Sequence, residues 1–182
     1  MFVEGRRTEE LYLTDWQRRY RDRVLVTIDP FRGGPFQLVK RAVEAKRTEA
    51  RDAKKDRGRA HDQIWCVFDR DEHPNFAEAI ALAHDHGINL AISNPCLELW
   101  FVLHFEDQTA HLERGEAQAR SEALLQCTKV LSESALAALS GHFEEARERA
   151  TKLDEKHAGD DSPRGANPSS GAWRIIDVIR QA

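Results

Sequence analysis

Apolar residues along this chain change their spacing several times, and each change marks an element. Between 8 and 20, Leu11, Leu13, Trp16 and Tyr20 recur among charged residues, which predicts a helix. Val24, Leu25, Val26, Thr27 and Ile28 then run consecutively and stop at Asp29-Pro30 and Gly33-Gly34-Pro35, the pattern of a strand closed by turns. Residues 36–57 return to helical spacing and become almost wholly charged after Lys46. The run 63–68 reads as a strand, 75–86 as a helix closed by Gly87, 88–92 as a strand, and 96–105 as an apolar helix introduced by Ser93-Asn94-Pro95. Phe2-Val3 is the stump of a further strand. It is too brief for a usual strand, so either the first strand is unusually short or the native start lies upstream.

Strands separated by helices imply βαβ units and a compact, largely parallel sheet of about four strands flanked by helices. That α/β core is expected over 1–112. From about 116 the texture changes. Two helical stretches (116–131 and 133–157) lack strand partners, 158–171 reads as a loop, and 172–180 is a short amphipathic helix carrying Trp173, Ile176 and Ile179. Residues 113–182 are therefore expected to form a helical extension packed on the core within one folding unit.

Composition narrows the classes. The chain has 182 residues, 41% hydrophobic and 32% charged, enough for one α/β domain with a substantial core. No apolar run approaches the roughly 18–20 residues that span a bilayer, and no signal-peptide pattern opens the sequence. Cys66, Cys96 and Cys127 are sparse and lack CxxC spacing. Reduced thiols in a cytoplasmic protein fit that usage better than a disulfide framework or a zinc site.

The net charge of −4 divides unevenly: 1–59 carry 16 Lys/Arg against 10 Asp/Glu (+6), and 60–182 carry 11 against 21 (−10). A basic region beside an acidic cluster suits a metal-dependent enzyme acting on a polyanion, and equally suits long helices with solvated faces. The stretch 40–59, with nine basic residues and four acids, is a solvated helix first and a nucleic-acid face second.

The candidate chemistry lies where strands end, because open α/β sheets bind ligands at the carboxyl ends of their strands. Asp69-Arg70-Asp71-Glu72 directly follows the apolar run Ile64 to Phe68. Residues two apart on a strand share a side, so Asp69 and Asp71 form a doubled negative charge that Mg²⁺ or Mn²⁺ would balance. Glu4 stands in the same relation to Phe2-Val3. Asp29-Pro30 reads as a turn. Glu98 falls in the first turn of the helix after Ser93-Asn94-Pro95, where the helix dipole favours an anion; its apolar neighbours also suit a further metal ligand or a base. Asn94 suits an N-cap and Pro95 the first helical position. Arg6 and Arg7 precede a helix start and are candidate phosphate contacts, with Asn94 as a third substrate contact. His61 and His73 flank the acidic strand, and His84-Asp85-His86 reads as an ordinary helix end.

These blocks together resemble the RloB-like family: Phe2-Val3-Glu4-Gly5 with Thr8-Glu9, then Trp65 to Glu72, then Ser93-Asn94-Pro95-Cys96-Leu97-Glu98-Leu99-Trp100 with His104-Phe105, and finally Asn167-Pro168-Ser169-Ser170 before the last helix. The Ser-Asn-Pro block is the most specific of them. Such proteins resemble Toprim domains, which topoisomerases, bacterial primases and OLD-type nucleases share. The resemblance implies a Toprim-like fold in which Glu4, Asp69 and Asp71 bind Mg²⁺ or Mn²⁺, and a role in restriction or phage defence. The expectation is a Mg²⁺-dependent nuclease cleaving phosphodiester bonds in DNA or RNA, with Glu4, Asp69, Asp71 and Glu98 as catalytic acids and a defence-system protein as a further partner. The alternatives are a non-catalytic Toprim-like binding subunit and a primase-like nucleotidyl transferase.

Overall fold

The computed structural model describes residues 1–5, 7–70, 73, 75–128, 130–163 and 165–182. Its elements in chain order are β1 (Phe2–Val3), α1 (Thr8–Tyr20), α2 (Pro35–Ala53), β2 (Trp65–Asp69), α3 (Phe76–His86), β3 (Asn89–Asn94), α4 (Leu97–Leu103), α5 (Arg114–Leu125), α6 (Glu133–Gly141), α7 (Phe143–Gly159), β4 (Ser169–Ser170) and α8 (Ala172–Gln181). The sheet runs β1-β2-β3-β4, with the first three strands parallel and β4 antiparallel to β3. The expected α/β architecture with a mostly parallel four-stranded sheet is what forms. Among the described residues, no helix is long and apolar enough to cross a membrane.

Strand alternation sorts the core into two layers. In register, Phe2, Cys66 and Leu90 form one row across the sheet, and Val3, Val67 and Ala91 the next. The first row packs with Phe68 and Ile92 against Leu38, Val39 and Val43 of α2 and Ala79 and Ala83 of α3. The second row packs with Trp65 against the larger layer of α1 and α4 to α8. β2 is buried on both faces, as the central strand of a parallel sheet must be. Asp69 continues the parity of Trp65 and Val67, which directs it toward the layer of α1 and α4.

Inside that layer α4 is apolar all round: Leu97, Leu99, Trp100, Phe101, Val102 and Leu103 are buried, and Glu98 is the one residue of the helix that is not. Aromatic contacts tie α4 to its neighbours. The Trp100 indole N–H donates to the Tyr12 hydroxyl at 2.7 Å, Tyr12 meets Phe101 edge-on at 5.3 Å, and Trp16 meets Phe143 at 5.4 Å. His104 donates from Nδ1 to the Trp100 carbonyl at 2.7 Å. Burial holds its pKa down to about 3, so the ring is neutral and structural.

The structure departs from the sequence pattern in six places, one of them the helix expected over 116–131, which ends at Leu125. The segment 24–28 is not a strand; Val24, Val26 and Ile28 pack against the layer that includes Val3, Trp65 and Val67, while the Met1 nitrogen donates to the Thr27 carbonyl and the Met1 carbonyl accepts from Asp29 N–H at 2.8 Å. A strand as short as β1 gives it too little backbone to pair with. The helix expected over 133–157 is two helices, because His142 leaves helical geometry (φ −105°, ψ 23°) after Gly141. That break turns Phe143 into the core beneath the Arg180 guanidinium, 4.3 Å from its ring. The helix expected to reach residue 57 stops at Ala53, where the apolar side has run out. Ser169–Ser170, expected within a loop, joins β3 as β4, and the buried Ser93 and Ser170 hydroxyls meet at 2.9 Å. Finally, Asn94 and Pro95 do not start α4: Asn94 ends β3, the Asn94–Pro95 bond is cis, and Cys96 is the cap residue.

Gly87 closes α3 at φ +58°, a conformation glycine adopts without strain, and Lys46 Nζ caps the same helix end on the His86 and Gly87 carbonyls at 2.7 and 2.9 Å.

Tyr12→Phe tests the α1–α4 clamp. The substitution keeps the ring and leaves the buried Trp100 N–H without its acceptor, so chemical denaturation should show a loss of about 1–3 kcal/mol. A neutral result would mean that this bond does not fix α4.

Candidate functional site

The carboxyl ends of β1 and β2 bring two acids together. Glu4 N–H extends the ladder by donating to Val67 C=O at 3.0 Å, and its carboxylate accepts from the Asp69 N–H at 3.2 Å. Glu4 and Asp69 are mostly enclosed, with side chains 24% and 14% exposed. His73 Nε2 lies 3.4 Å from the second Glu4 oxygen. The short first strand is therefore sufficient to seat Glu4 beside Asp69. Arg6 and Asp71 lie outside the described residues, so the second aspartate of the Asp-x-Asp pair and the first of the two arginines have no described placement.

Helix starts supply the remaining charges. Glu9, in the first turn of α1, folds its carboxylate back over Gly5 and accepts from the Gly5 N–H; a Cβ at Gly5 would collide with that carboxylate. Glu98, in the first turn of α4, accepts from the Cys96 thiol and borders a cavity of about 20 Å³ with Thr8, Phe101 and Gln118. Arg114, the first residue of α5, places its guanidinium 3.3 Å from Asp69 Oδ2 and 3.4 Å from the Pro95 carbonyl. Arg7 is exposed at the N-cap of α1.

Electrostatics bind these groups into one centre. Burial drives the Asp69 carboxyl up to about 8; Arg114 opposes the rise, and Glu9, Glu98 and Glu4 add to it. Burial also raises Glu9, reinforced by Glu98 and Glu4. Four acids thus feel one another at the strand ends, with the Arg114 guanidinium 3.3 Å from Asp69. Their donors are carboxylate oxygens. Among the described residues, no three Asp, Glu, His or Cys side chains close around one point as a ready metal cage.

The loop before β4 locks the edge of this centre. Arg70 continues the β2–β3 ladder by donating to Ser93 C=O at 2.7 Å. Its guanidinium reaches the Gly165 carbonyl at 2.8 Å and lies 5.3 Å from the Phe76 ring centre. Asn94 donates to the same carbonyl at 2.7 Å, so its amide holds the loop. Asn167 makes paired bonds with the Leu112 backbone at 3.0 and 2.9 Å, two residues before Arg114.

Sequence reasoning did not single out Glu9, Arg114 or Asn167 as parts of this site. Glu9 follows Glu4-Gly5 closely enough to have been suspected. Arg114 carries no local signal, because its relation to Asp69 arises only when α5 packs on α4. The strongly basic stretch also falls elsewhere than the acids. Gly34, at the start of α2, lies against His73, whereas Lys46 caps the end of α3 where the chain enters β3. The 19-residue α2 spans about 28 Å, so its basic end is carried toward the amino ends of the strands.

The raised Asp69 pKa makes stability depend on pH. Its protonated form is the one the fold favours, so its contribution is fully present below the unfolded value of 3.8 and is lost as pH rises through about 8. Asp69→Asn should therefore be more stable than the parent in EDTA at pH 8.5, by about 1–3 kcal/mol after allowing for the partner that Arg114 loses. The difference should shrink toward pH 5. A variant equally or less stable at pH 8.5 would show that the charge is not held against a desolvation cost.

No curated protein matches the chain, and no solved structure does. A family profile described as RloB-like protein matches residues 1–179, nearly the whole sequence. With the α/β sheet and the strand-end acids in place, the chain belongs to the RloB-like protein family.

Proposed function

We propose that this protein is a Toprim-like, Mg²⁺- or Mn²⁺-dependent nuclease that cleaves phosphodiester bonds in DNA or RNA, in a restriction or phage-defence setting. The observation that carries this reading is the Asp69 carboxyl, driven up by its burial at a strand end, against the Arg114 guanidinium beside it and with Glu9, Glu98 and Glu4 adding to the rise. A site with this excess of hard-oxygen charge fits a small divalent cation in donor chemistry. Glu4 and Asp69 would hold the ion with Asp71, and Glu9 adds a further acid within the same field. Bound there, such an ion would polarise a phosphate and lower the pKa of a water.

The chain's own groups then divide the remaining work. Glu98, fixed on a buried helix, would accept or return a proton at its carboxylate, or serve as a ligand for a second ion. Arg114 balances Asp69 in the absence of a cation and is 39% exposed, so it can turn to a phosphate oxygen at the same strand ends. Backbone contacts on the basic end of α2 would engage the polymer away from the cleavage point, through contacts that weaken as salt rises.

One observation favours a second reading, a non-catalytic binding subunit of a defence complex: a guanidinium already partners Asp69 among the described residues. Incubation of the purified protein with single- and double-stranded DNA and RNA in Mg²⁺, Mn²⁺ or EDTA separates the two. Metal-dependent products are expected, reduced at least about 100-fold by Asp69→Ala and by Glu4→Gln, with Arg114→Lys retaining more activity than Arg114→Ala. Turnover unchanged in Asp69→Ala would refute the catalytic assignment, and absence of any metal-dependent product would favour the binding subunit.

A further inference from the structure

Of the two histidines that flank the acidic strand, His73 meets Glu4, whereas His61 lies before β2, at the far end of that strand from Asp69. There His61 joins two other segments. Glu49 of α2 grips it twice: one carboxylate oxygen accepts from the His61 backbone N–H at 3.1 Å, and the other meets ring Nδ1 at 2.9 Å. A carboxylate only accepts, so Nδ1 carries the hydrogen, and in the neutral ring Nε2 is left as an acceptor. Nε2 lies 3.2 Å from Thr27 Oγ1, so the Thr27 hydroxyl donates to it. Carboxylate, imidazole and hydroxyl thus stand in the order, and within the reach, that activates a hydroxyl for nucleophilic attack.

Thr27 and His61 both line a groove of about 430 Å³, which also takes in the apolar side chains of Leu25, Trp65 and Val178. An apolar chain laid on those side chains can bring a carbonyl attached to it beside Thr27 Oγ1. Arg59 lines the same groove, so a guanidinium is at hand for charge that develops on the carbonyl oxygen. The His61 and Glu49 side chains are 38% and 26% exposed, so substrate and water reach the ring while Glu49 keeps its orientation.

We propose that Thr27 is the nucleophile of a second, metal-independent centre that hydrolyses esters of apolar carboxylic acids, with His61 as its base and Glu49 as the positioning residue. Thr27 Oγ1 attacks the ester carbonyl carbon as its proton passes to His61 Nε2. The tetrahedral intermediate collapses, the bond from carbonyl carbon to alkoxy oxygen breaks, and the imidazolium returns the proton to the departing alcohol. Acyl-Thr27 remains. A water then attacks the acyl carbon as Nε2 takes its proton, and that proton goes back to Thr27 Oγ1 as the acid leaves. The net reaction is ester plus water to acid plus alcohol. Glu49 holds the ring and stabilises the imidazolium in both halves. Nothing in these steps draws on the strand-end acids, so the activity does not depend on the proposed phosphodiester cleavage.

Incubation of the full chain with p-nitrophenyl butyrate and octanoate in EDTA tests this, following p-nitrophenolate release and locating the acyl group by peptide mass spectrometry. Turnover in EDTA and an acyl adduct on Thr27 are expected. Thr27→Val should abolish both, and Thr27→Ser, which keeps a hydroxyl, should retain them. His61→Gln should lower kcat at least about 100-fold. Glu49→Gln should lower kcat by a similar factor while KM stays within about twofold, a split that mere loosening of the groove would not produce. A parent that neither turns over nor acquires the adduct would overturn the proposal, as would turnover that survives Thr27→Val. If Thr27→Val fails to fold by circular dichroism, the parent's adduct decides: an acyl group on Thr27 supports the assignment, and one on another residue overturns it.

Discussion

A carboxylate buried at the end of a central strand is the constraint around which this molecule is arranged. Asp69 follows four buried residues of β2 and sits in the low-dielectric seam between the sheet and the α1–α4 layer. Three further acids, Glu4, Glu9 and Glu98, act on it from β1, α1 and α4. Each is brought there by a different piece of chain, so the centre exists only once the whole upper layer has packed. The Arg114 guanidinium from α5 supplies the compensating charge. Like charges gathered in one buried place lower stability, and perturbed carboxyls of this kind cluster at functional sites.

The rest of the packing makes that arrangement rigid. α4 is buried on every side except at Glu98, so this glutamate has little freedom to move away from the strand ends. Tyr12 and Trp100 lock α1 to α4, which sets Glu9 against Glu98. On the other flank, Arg70 and Asn94 share the Gly165 carbonyl, and Asn167 grips Leu112 just before Arg114. The residues after 113 therefore reach the site as well as the sheet: they contribute Arg114, the loop that closes the strand ends, and β4.

Much of this was legible in the sequence because it rests on local patterns. The helix over Thr8–Tyr20, the strand before Asp69 and the glycine at the end of α3 each follow from spacing or from backbone chemistry. Glu4 and Asp69 could be placed together because both stand at strand ends. What the sequence concealed depends on contacts between distant segments. β-rich as it is, 24–28 forms no strand and is tied to the start of β1 through Met1; Ser169–Ser170 becomes a strand because β3 offers an edge; and Arg114 meets Asp69 across 45 positions of sequence. The basic stretch of α2 was visible as composition, yet only the direction of the helix shows that it points away from the acids.

Calorimetric titration of the protein with Mn²⁺ at pH 7, in two buffers of different ionisation enthalpy, addresses the acidic centre most directly. With Asp69 pushed up to about 8, the metal-free site is mainly protonated at that pH, and divalent binding should expel close to one proton. The release should fade by pH 9 and disappear in Asp69→Asn. Failure to bind Mn²⁺, or binding with no proton release at pH 7, would contradict the account of Asp69 as a buried carboxyl poised for a cation.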